Sequence, residues 1–456
     1  MADESEDPRS NPLAVRSSRA ENLITDQQVA LGGKRTTSNP FVRFLTILGP
    51  GLITGASDDD PSGIATYSAA GAAFGYSTLW TALLTFPMMA AIQYICAKIA
   101  IVNNCGISTI LRRNYSKYLL YPVVTALVIA NTINAGVDIG AIAEGVHLLL
   151  PVQAWMVCVP VASILLVLQI WGSYKLIARV FKWLTIALFA YIGSSIMAHP
   201  EWNKVLYCTL VPTIEFNAKF LSMLVAILGT TISPYLFFWQ SDQEVEERKS
   251  RDSKLKKNPS LGVINTELRY AAIDVNTGML FSNAVMFFII LSAAATLHVA
   301  GKTEIATAAQ AAQALVPLAG RWAEILMAIG LIGSGLLAVP ILTASSSYAL
   351  SEALHWKTGL NEKPENAREF YWIIVISTIV GTVINFIGIN PIDALVWTAI
   401  INGFLAPPLL VVIMLISNNK AIMGDKINNR WINVIGWTTT VVMFAAATGL
   451  VWTWGA

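Results

Sequence analysis

The sequence predicts an all-α membrane protein of eleven transmembrane helices, two five-helix halves of opposite topology plus one additional helix, with helices one and six broken. Three observations predict it: a series of long apolar runs, a one-sided distribution of lysine and arginine, and two Gly/Pro interruptions at matching places in the two halves.

The composition excludes a string of soluble domains, because charged residues make up 13% and hydrophobic residues 55% of the 456-residue chain. The apolar runs fall at Phe41 to Ala70, Leu79 to Ile101, Tyr118 to Leu149, Ala154 to Ile170, Leu176 to Met197, Phe220 to Phe238, Tyr270 to Leu297, Trp322 to Ala353, Phe370 to Ile387, Leu395 to Ile416 and Ile432 to Val451. Most reach the roughly 20 residues that cross a hydrocarbon layer as a helix. The predicted organisation is a polar, disordered tail over 1–40 and a core over 41–424 with repeats at about 41–198 and 218–416. The eleventh helix lies within 425–456.

Basic residues fix the orientation. With the amino terminus inside, only Lys204, Lys219, Lys302 and Arg321 of the 30 lysines and arginines face outward, and one missed span would invert every later assignment. The amino terminus is therefore expected in the cytoplasm and the carboxyl terminus outside, in a plasma membrane of bacterial inner-membrane type. The first forty residues lack the apolar core of a signal peptide. The net charge of +2 is divided by topology and gives no reason to expect nucleic acid. Cys96, Cys105, Cys158 and Cys208 lack metal-ligand spacing and read as free cysteines in helices.

The first break reads Gly55-Ala56-Ser57-Asp58-Asp59-Asp60-Pro61-Ser62-Gly63. Pro61 removes a backbone donor and disfavours helical geometry at Asp60. Each carboxylate would cost roughly 2.5 to 3.5 kcal/mol at that depth if it faced lipid, so the three must face water, a cation or each other's protons. The sixth run carries the counterpart Gly229-Thr230-Thr231-Ile232-Ser233-Pro234-Tyr235. Taken alone it could be an ordinary proline kink repaired by hydroxyls. Matched with the first, it points to a transport site near the midplane.

Carboxylates, hydroxyls and freed carbonyls are hard oxygen ligands suited to magnesium, calcium or manganese. Anionic substrates are disfavoured by the Asp cluster, whereas an amino acid remains open, because half-helix amino ends can hold its carboxylate.

The run from Gly49-Pro50-Gly51 through Asp60-Pro61-Ser62-Gly63-Ile64-Ala65-Thr66, the Gly229 to Pro234 break, and Asn390-Pro391 leading to Ser417-Asn418-Asn419-Lys420-Ala421-Ile422-Met423-Gly424 resemble the Nramp family of divalent metal transporters. The resemblance implies a LeuT-like fold with a metal site between the two broken helices. It also has departures. The family's Asp-Pro-Gly-Asn is Asp60-Pro61-Ser62-Gly63, and its Met-Pro-His is Ser233-Pro234-Tyr235. A second family His falls at Gln240, and the tenth-span Gln at Ala399. Loss of the soft Met hardens the site, and smaller side chains widen it. This pattern is similar to the Nramp-related magnesium transporters, a branch of the same superfamily. Met223 lies ten residues before Ser233, about 15 Å of helix, and reads as packing.

The expected metal-site residues are Asp60 as principal carboxylate, Thr230 through its carbonyl, Ser233 through hydroxyl or carbonyl, and Asp59 or Asn402 through water. Asp58 is expected nearer a vestibule. The expected function is uptake of partly hydrated Mg2+, with Mn2+ also passing, by alternating access. No cofactor is expected, since the ion is cargo, and the chain is not expected to be an enzyme. The other expected partner is the lipid bilayer; the oligomeric state stays open and a monomer is compatible with it. His147, His199, His298 and His355 all sit at span ends, so no midplane histidine relay is available and uptake is expected to run without protons. A divalent ion moving inward gains roughly 4.6 kcal/mol per 100 mV. Asp138, Glu144 and Asp274 remain as acidic residues in spans three and seven. Three competing readings are a proton-coupled Mn2+/Fe2+ importer of the Nramp type, a sodium-coupled amino-acid transporter of the same fold, and a metal sensor without flux.

Overall fold

The computed structural model of the protein describes Asn39, Phe44 and residues 47–172, 189–255 and 261–453. The tail expected over 1–40, apart from Asn39, and most of the fifth span lie outside the described residues, as does part of the loop between spans six and seven.

Every regular element among the described residues is helical. Among the described residues eight helices are long and apolar enough to cross a membrane, Ala154–Trp171 among them at mean hydropathy 2.1. The first span is instead two pieces, Pro50–Asp58 and Pro61–Phe74. The ninth, Arg368–Ile384, has 17 residues and stops three short of the predicted end. The sixth is also broken, into Ala218–Thr231 and Pro234–Leu255, with Ile232 and Ser233 between. Both predicted interruptions are therefore present. Each second half begins at its proline, where the missing N–H costs no helical hydrogen bond.

Polar residues at the run boundaries set the helix starts. Asn217 accepts from the Phe220 amide at 2.8 Å at the head of the sixth span. Asn390 accepts from the amides of Ile392 at 2.9 Å and Asp393 at 3.3 Å at the head of Pro391–Asn418, so the Asn390-Pro391 pair is a cap followed by a first-turn proline. Three short helices, Ile107–Asn114, Trp202–Leu210 and Ala308–Ala312, occupy connections that carried no sequence prediction.

The ten-span core is an inverted repeat. The second half of span one packs on span seven (Leu261–Ala293), and the second half of span six packs on span two (Trp80–Asn103), the same relation with the two repeats exchanged. The long third and eighth helices, Lys117–Leu149 and Ala323–Leu354, pack along each other as a scaffold. The eleventh, Arg430–Thr453, lies against spans two, six and ten.

The connections segregate to two faces, as alternate crossings require. On one, Arg112 meets His355, Lys98 donates to Asn428 and Arg248 donates to the Ile101 carbonyl, which joins connections two–three, six–seven, eight–nine and ten–eleven. On the other, Lys204 lies 5.9 Å over the Tyr76 ring and Lys219 lies 3.7 Å from Glu304. The two are the basic face and the opposite face below.

Candidate metal site at the paired breaks

Close helix crossings hold both breaks in place. A Cβ on Gly55 would lie 2.2 Å from the Gly278 carbonyl oxygen, so the first half-helix and span seven touch backbone to backbone. At the sixth span, a Cβ on Gly229 would lie 2.1 Å from the Ala399 carbonyl oxygen and 2.3 Å from the Gly403 amide nitrogen. Asn402, buried at 2% exposure, is carried on that same turn of span ten.

The first half-helix is capped from another span. The Asp274 carboxylate accepts from the amides of Gly49 at 2.9 Å, Gly51 at 2.6 Å and Leu52 at 3.0 Å. These are amides that a helix start leaves unpaired, and a carboxylate there also faces the positive end of the helix dipole. Asp274→Ala orphans three donors in or beside the membrane. At about 1 kcal/mol or more for each buried unsatisfied group, the variant is expected to lose about 3 kcal/mol of stability, read as a lowered thermal-unfolding midpoint in detergent, with Asp274→Asn intermediate.

Inside the first break the three carboxylates are buried, at 0%, 0% and 1% exposure for Asp58, Asp59 and Asp60, and take different directions. Asp60 turns onto its own helix: Oδ1 accepts from the Gly63 amide at 2.7 Å and from Ser62 Oγ at 2.7 Å. Its Oδ2 faces the Tyr235 hydroxyl at 3.4 Å, which also donates to the Ser57 carbonyl at 2.9 Å. Asp58 and Asp59 converge on Ser282 of span seven, whose hydroxyl lies 2.5 Å from Asp58 Oδ2 and 3.3 Å from Asp59 Oδ1. Among the described residues nothing donates to Asp58 Oδ1 or Asp59 Oδ2. Asp58, expected nearer a vestibule, is thus buried against span seven, because the helix turn that aims Asp60 at its cap aims Asp58 at Ser282.

The sixth-span residues close the other side. Ser62 Oγ and Thr230 Oγ1 are 3.4 Å apart, so the two breaks meet hydroxyl to hydroxyl. Ser233 Oγ donates to the Thr230 carbonyl at 2.6 Å and lies 3.0 Å from the Gly229 carbonyl, leaving its own lone pairs and one carbonyl lone pair for another partner. Gln240 bridges the two broken helices, accepting from Thr54 Oγ1 at 2.6 Å and donating to Glu244 at 2.9 Å. The carbonyl ends of the first halves of both spans point into the break, as partial negative charge.

Asp60, Thr230 and Ser233 are brought together, with Asp59 one residue away on span seven's side and Asn402 on the helix packed against Gly229. Among the described residues no three His, Cys, Asp or Glu side chains are grouped to hold an ion, so hydroxyls, carbonyls or water must complete any coordination there. Two contributors were missed in the sequence. Ser282 is a polar residue inside an apolar run, a signal that was present, whereas Tyr67, 3.0 Å from Thr231 Oγ1, has no local signature of proximity. Asp138, read from the sequence only as an acidic residue of span three, is buried within charge reach of Asp60 with both oxygens unpartnered among the described residues. Met286, from span seven, brings its sulfur to 3.7 Å from Thr231 Oγ1, nearer the sixth break than the ten-residue spacing puts Met223. Distance along the chain cannot see a neighbour from span seven.

Two facing helices broken at matching depth in an inverted five-span repeat define a multi-pass membrane transporter of LeuT-like fold. The chain belongs to the Nramp family, whose description, Natural resistance-associated macrophage protein-like, matches residues 51–453. It is similar to the protein named Divalent metal cation transporter MntH of Bacillus subtilis (strain 168), 27% identical over 429 residues that cover 92% of this chain and 94% of the relative. It is likewise 25% identical to the MntH of Klebsiella pneumoniae (strain 342), over 88% of this chain and 92% of that one. Among solved structures, an Eremococcus coleocola manganese transporter matches with a TM-score of 0.73 at 20% identity, covering 91% of this chain and 87% of that one. The nucleobase-cation-symport-1 family transporter Mhp1 matches with a TM-score of 0.56 at 12% identity, over 89% and 92%. These last two support the fold.

Proposed function

We propose that the protein is a divalent metal transporter that carries partly hydrated Mg2+, with Mn2+ also accepted, by alternating access and without proton coupling. The observation behind this reading is the oxygen lining of the paired breaks: Asp58, Asp59, Asp60, Ser62, Thr230 and Ser233 are buried there, and neither broken segment contains Met, His or Cys. Asp60 is the principal carboxylate, Thr230 contributes its carbonyl, Ser233 a hydroxyl or carbonyl oxygen, and Asp59 and Asn402 act through water. With Asp60 Oδ1 already accepting two hydrogen bonds, few protein oxygens are left for direct contact. Magnesium suits such a site, because it keeps several waters and touches one or two carboxylates. Divalent metal cations are also what the MntH relatives are named for transporting.

Alternating access follows from the contacts that would change. Moving the first half-helix breaks Asp274 from its amides and Tyr235 from the Ser57 carbonyl at the break, and water entering from the basic face can take the place of each. The basic face is the cytoplasmic side in this reading, with the amino terminus inside and the carboxyl terminus outside.

A proton-coupled Mn2+ importer is the second reading, and Asp138 favours it, since an unpartnered carboxyl beside Asp60 could exchange a proton as an ion binds. Purified protein in liposomes carrying Mg2+-, Mn2+- and pH-sensitive dyes separates the two. The expected result is Mg2+ influx at constant internal pH. Cd2+ influx with acidification and no Mg2+ signal would replace the first reading by the second, and sodium-dependent uptake of an amino acid would end both.

A further inference from the structure

Span three carries Gly140, Glu144 and His147 at helical spacing i, i+4 and i+7, on one stripe facing a cavity of about 280 Å³ toward the opposite face. Span four adds Cys158, and Asn385, just after span nine, closes the far wall. Each polar group there is oriented in a way that leaves a ligand atom unused.

His147 Nδ1 lies 2.6 Å from the Val152 carbonyl, which can only accept, so Nδ1 is the donor and Nε2 is the ring nitrogen left for an ion. A carbonyl partner on the far nitrogen is the usual orienting device of a metal-binding histidine. Asn385 Nδ2 donates to the carbonyls of Gly136 at 2.8 Å and Thr382 at 3.3 Å, which fixes the flip of the amide. Its Oδ1 is thereby turned over Gly140, 2.1 Å from where a Cβ would stand. Only glycine there lets that oxygen reach the stripe. The Glu144 carboxylate accepts no hydrogen bond among the described residues and has His147 and Cys158 as electrostatic neighbours.

We propose that this cavity is a second divalent-cation site, separate from the midplane breaks, that takes a zinc-type ion through Glu144 and His147 Nε2, with water completing the shell and Asn385 Oδ1 lining the cavity about a turn or more deeper. A carboxylate and an imidazole suit a borderline ion better than the hard ion proposed at the breaks. Glu144 stands six residues, about 9 Å of helix, from Asp138 on the same span, so an ion held here sits at the outer end of the helix that reaches the breaks. Zinc bound at this position is expected to slow flux without being carried.

The test is zinc binding to the full chain in lipid nanodiscs by calorimetry, on Asp60→Ala protein with Mg2+ in excess so that the breaks contribute nothing. One Zn2+ per chain is expected, with Glu144→Gln and His147→Ala each weakening it about tenfold or more. Should Asp60→Ala fail to fold, Co2+ replaces Zn2+ on the otherwise unaltered chain, and the visible Co2+ absorption must change in His147→Ala. No zinc bound, or an affinity that either of the Glu144 and His147 substitutions leaves unchanged, overturns the site. The readout is equilibrium binding, so it stands or falls independently of which ion is transported.

Discussion

Asp60→Ala is expected to reduce Mg2+ flux in liposomes to the background of empty vesicles. Two losses combine. The variant removes the carboxylate proposed as the main ligand, and it removes the cap of Pro61–Phe74, since Oδ1 accepts from the Gly63 amide. Loss of a cap costs about 0.5 to 2 kcal/mol, too little to unfold a core of this size, so the variant should remain folded and inactive. Asp60→Asn separates the effects: its amide oxygen keeps the cap, while the negative charge is gone. Flux near zero in both, with the thermal midpoint restored in Asp60→Asn, assigns the loss to charge. Flux retained by Asp60→Ala would remove the principal ligand from the proposal.

Gly55→Val is expected to disrupt transport strongly, although it lies outside the carboxylates. A Cβ there would sit 2.2 Å from the Gly278 carbonyl oxygen and 2.6 Å from its Cα, and backbone cannot move aside as a flexible side chain can. Overpacking of this kind costs about 1 to 3 kcal/mol or more. The strain falls on the half-helix whose carbonyl end forms the break, so the variant should lose flux by about tenfold or more, since misplacing a site by about 1 Å can cost 100-fold. Gly449→Ala is the control, because a Cβ there meets only Leu221 Cδ1 at 3.6 Å, ordinary contact distance. Its thermal midpoint and flux should match the parent's. Wild-type behaviour of Gly55→Val would mean that the crossing of span one on span seven is not as tight as the geometry requires.

Much of the transporter was legible because the bilayer makes a strict demand. A backbone that cannot be solvated must pair with itself, so a helix interrupted by Pro61 beside three carboxylates, matched by Pro234 five spans later, has few explanations. Asn390-Pro391 was equally local, a cap and its first-turn proline. The short helix Ile107–Asn114 was not: its cap is Glu352 of span eight, which accepts from the Gly106 amide at 3.2 Å and the Thr109 amide at 3.0 Å. A cap supplied 246 residues away leaves no pattern at the helix it starts.

The same division runs through the site. The sequence by itself determined that hard oxygen atoms gather at two breaks in an inverted repeat, because residue type and spacing alone decide where a helix must unwind and what it exposes. Only the tertiary structure decided how those oxygens are shared. Asp60 is spent largely on its own helix, Asp58 and Asp59 are held by Ser282, Tyr235 closes the first half-helix, and Met286 stands across from the sixth break. Those partners come from other spans, and which side chain meets which depends on how helices cross, a property that glycine contacts such as Gly55 on Gly278 fix in space and not along the chain.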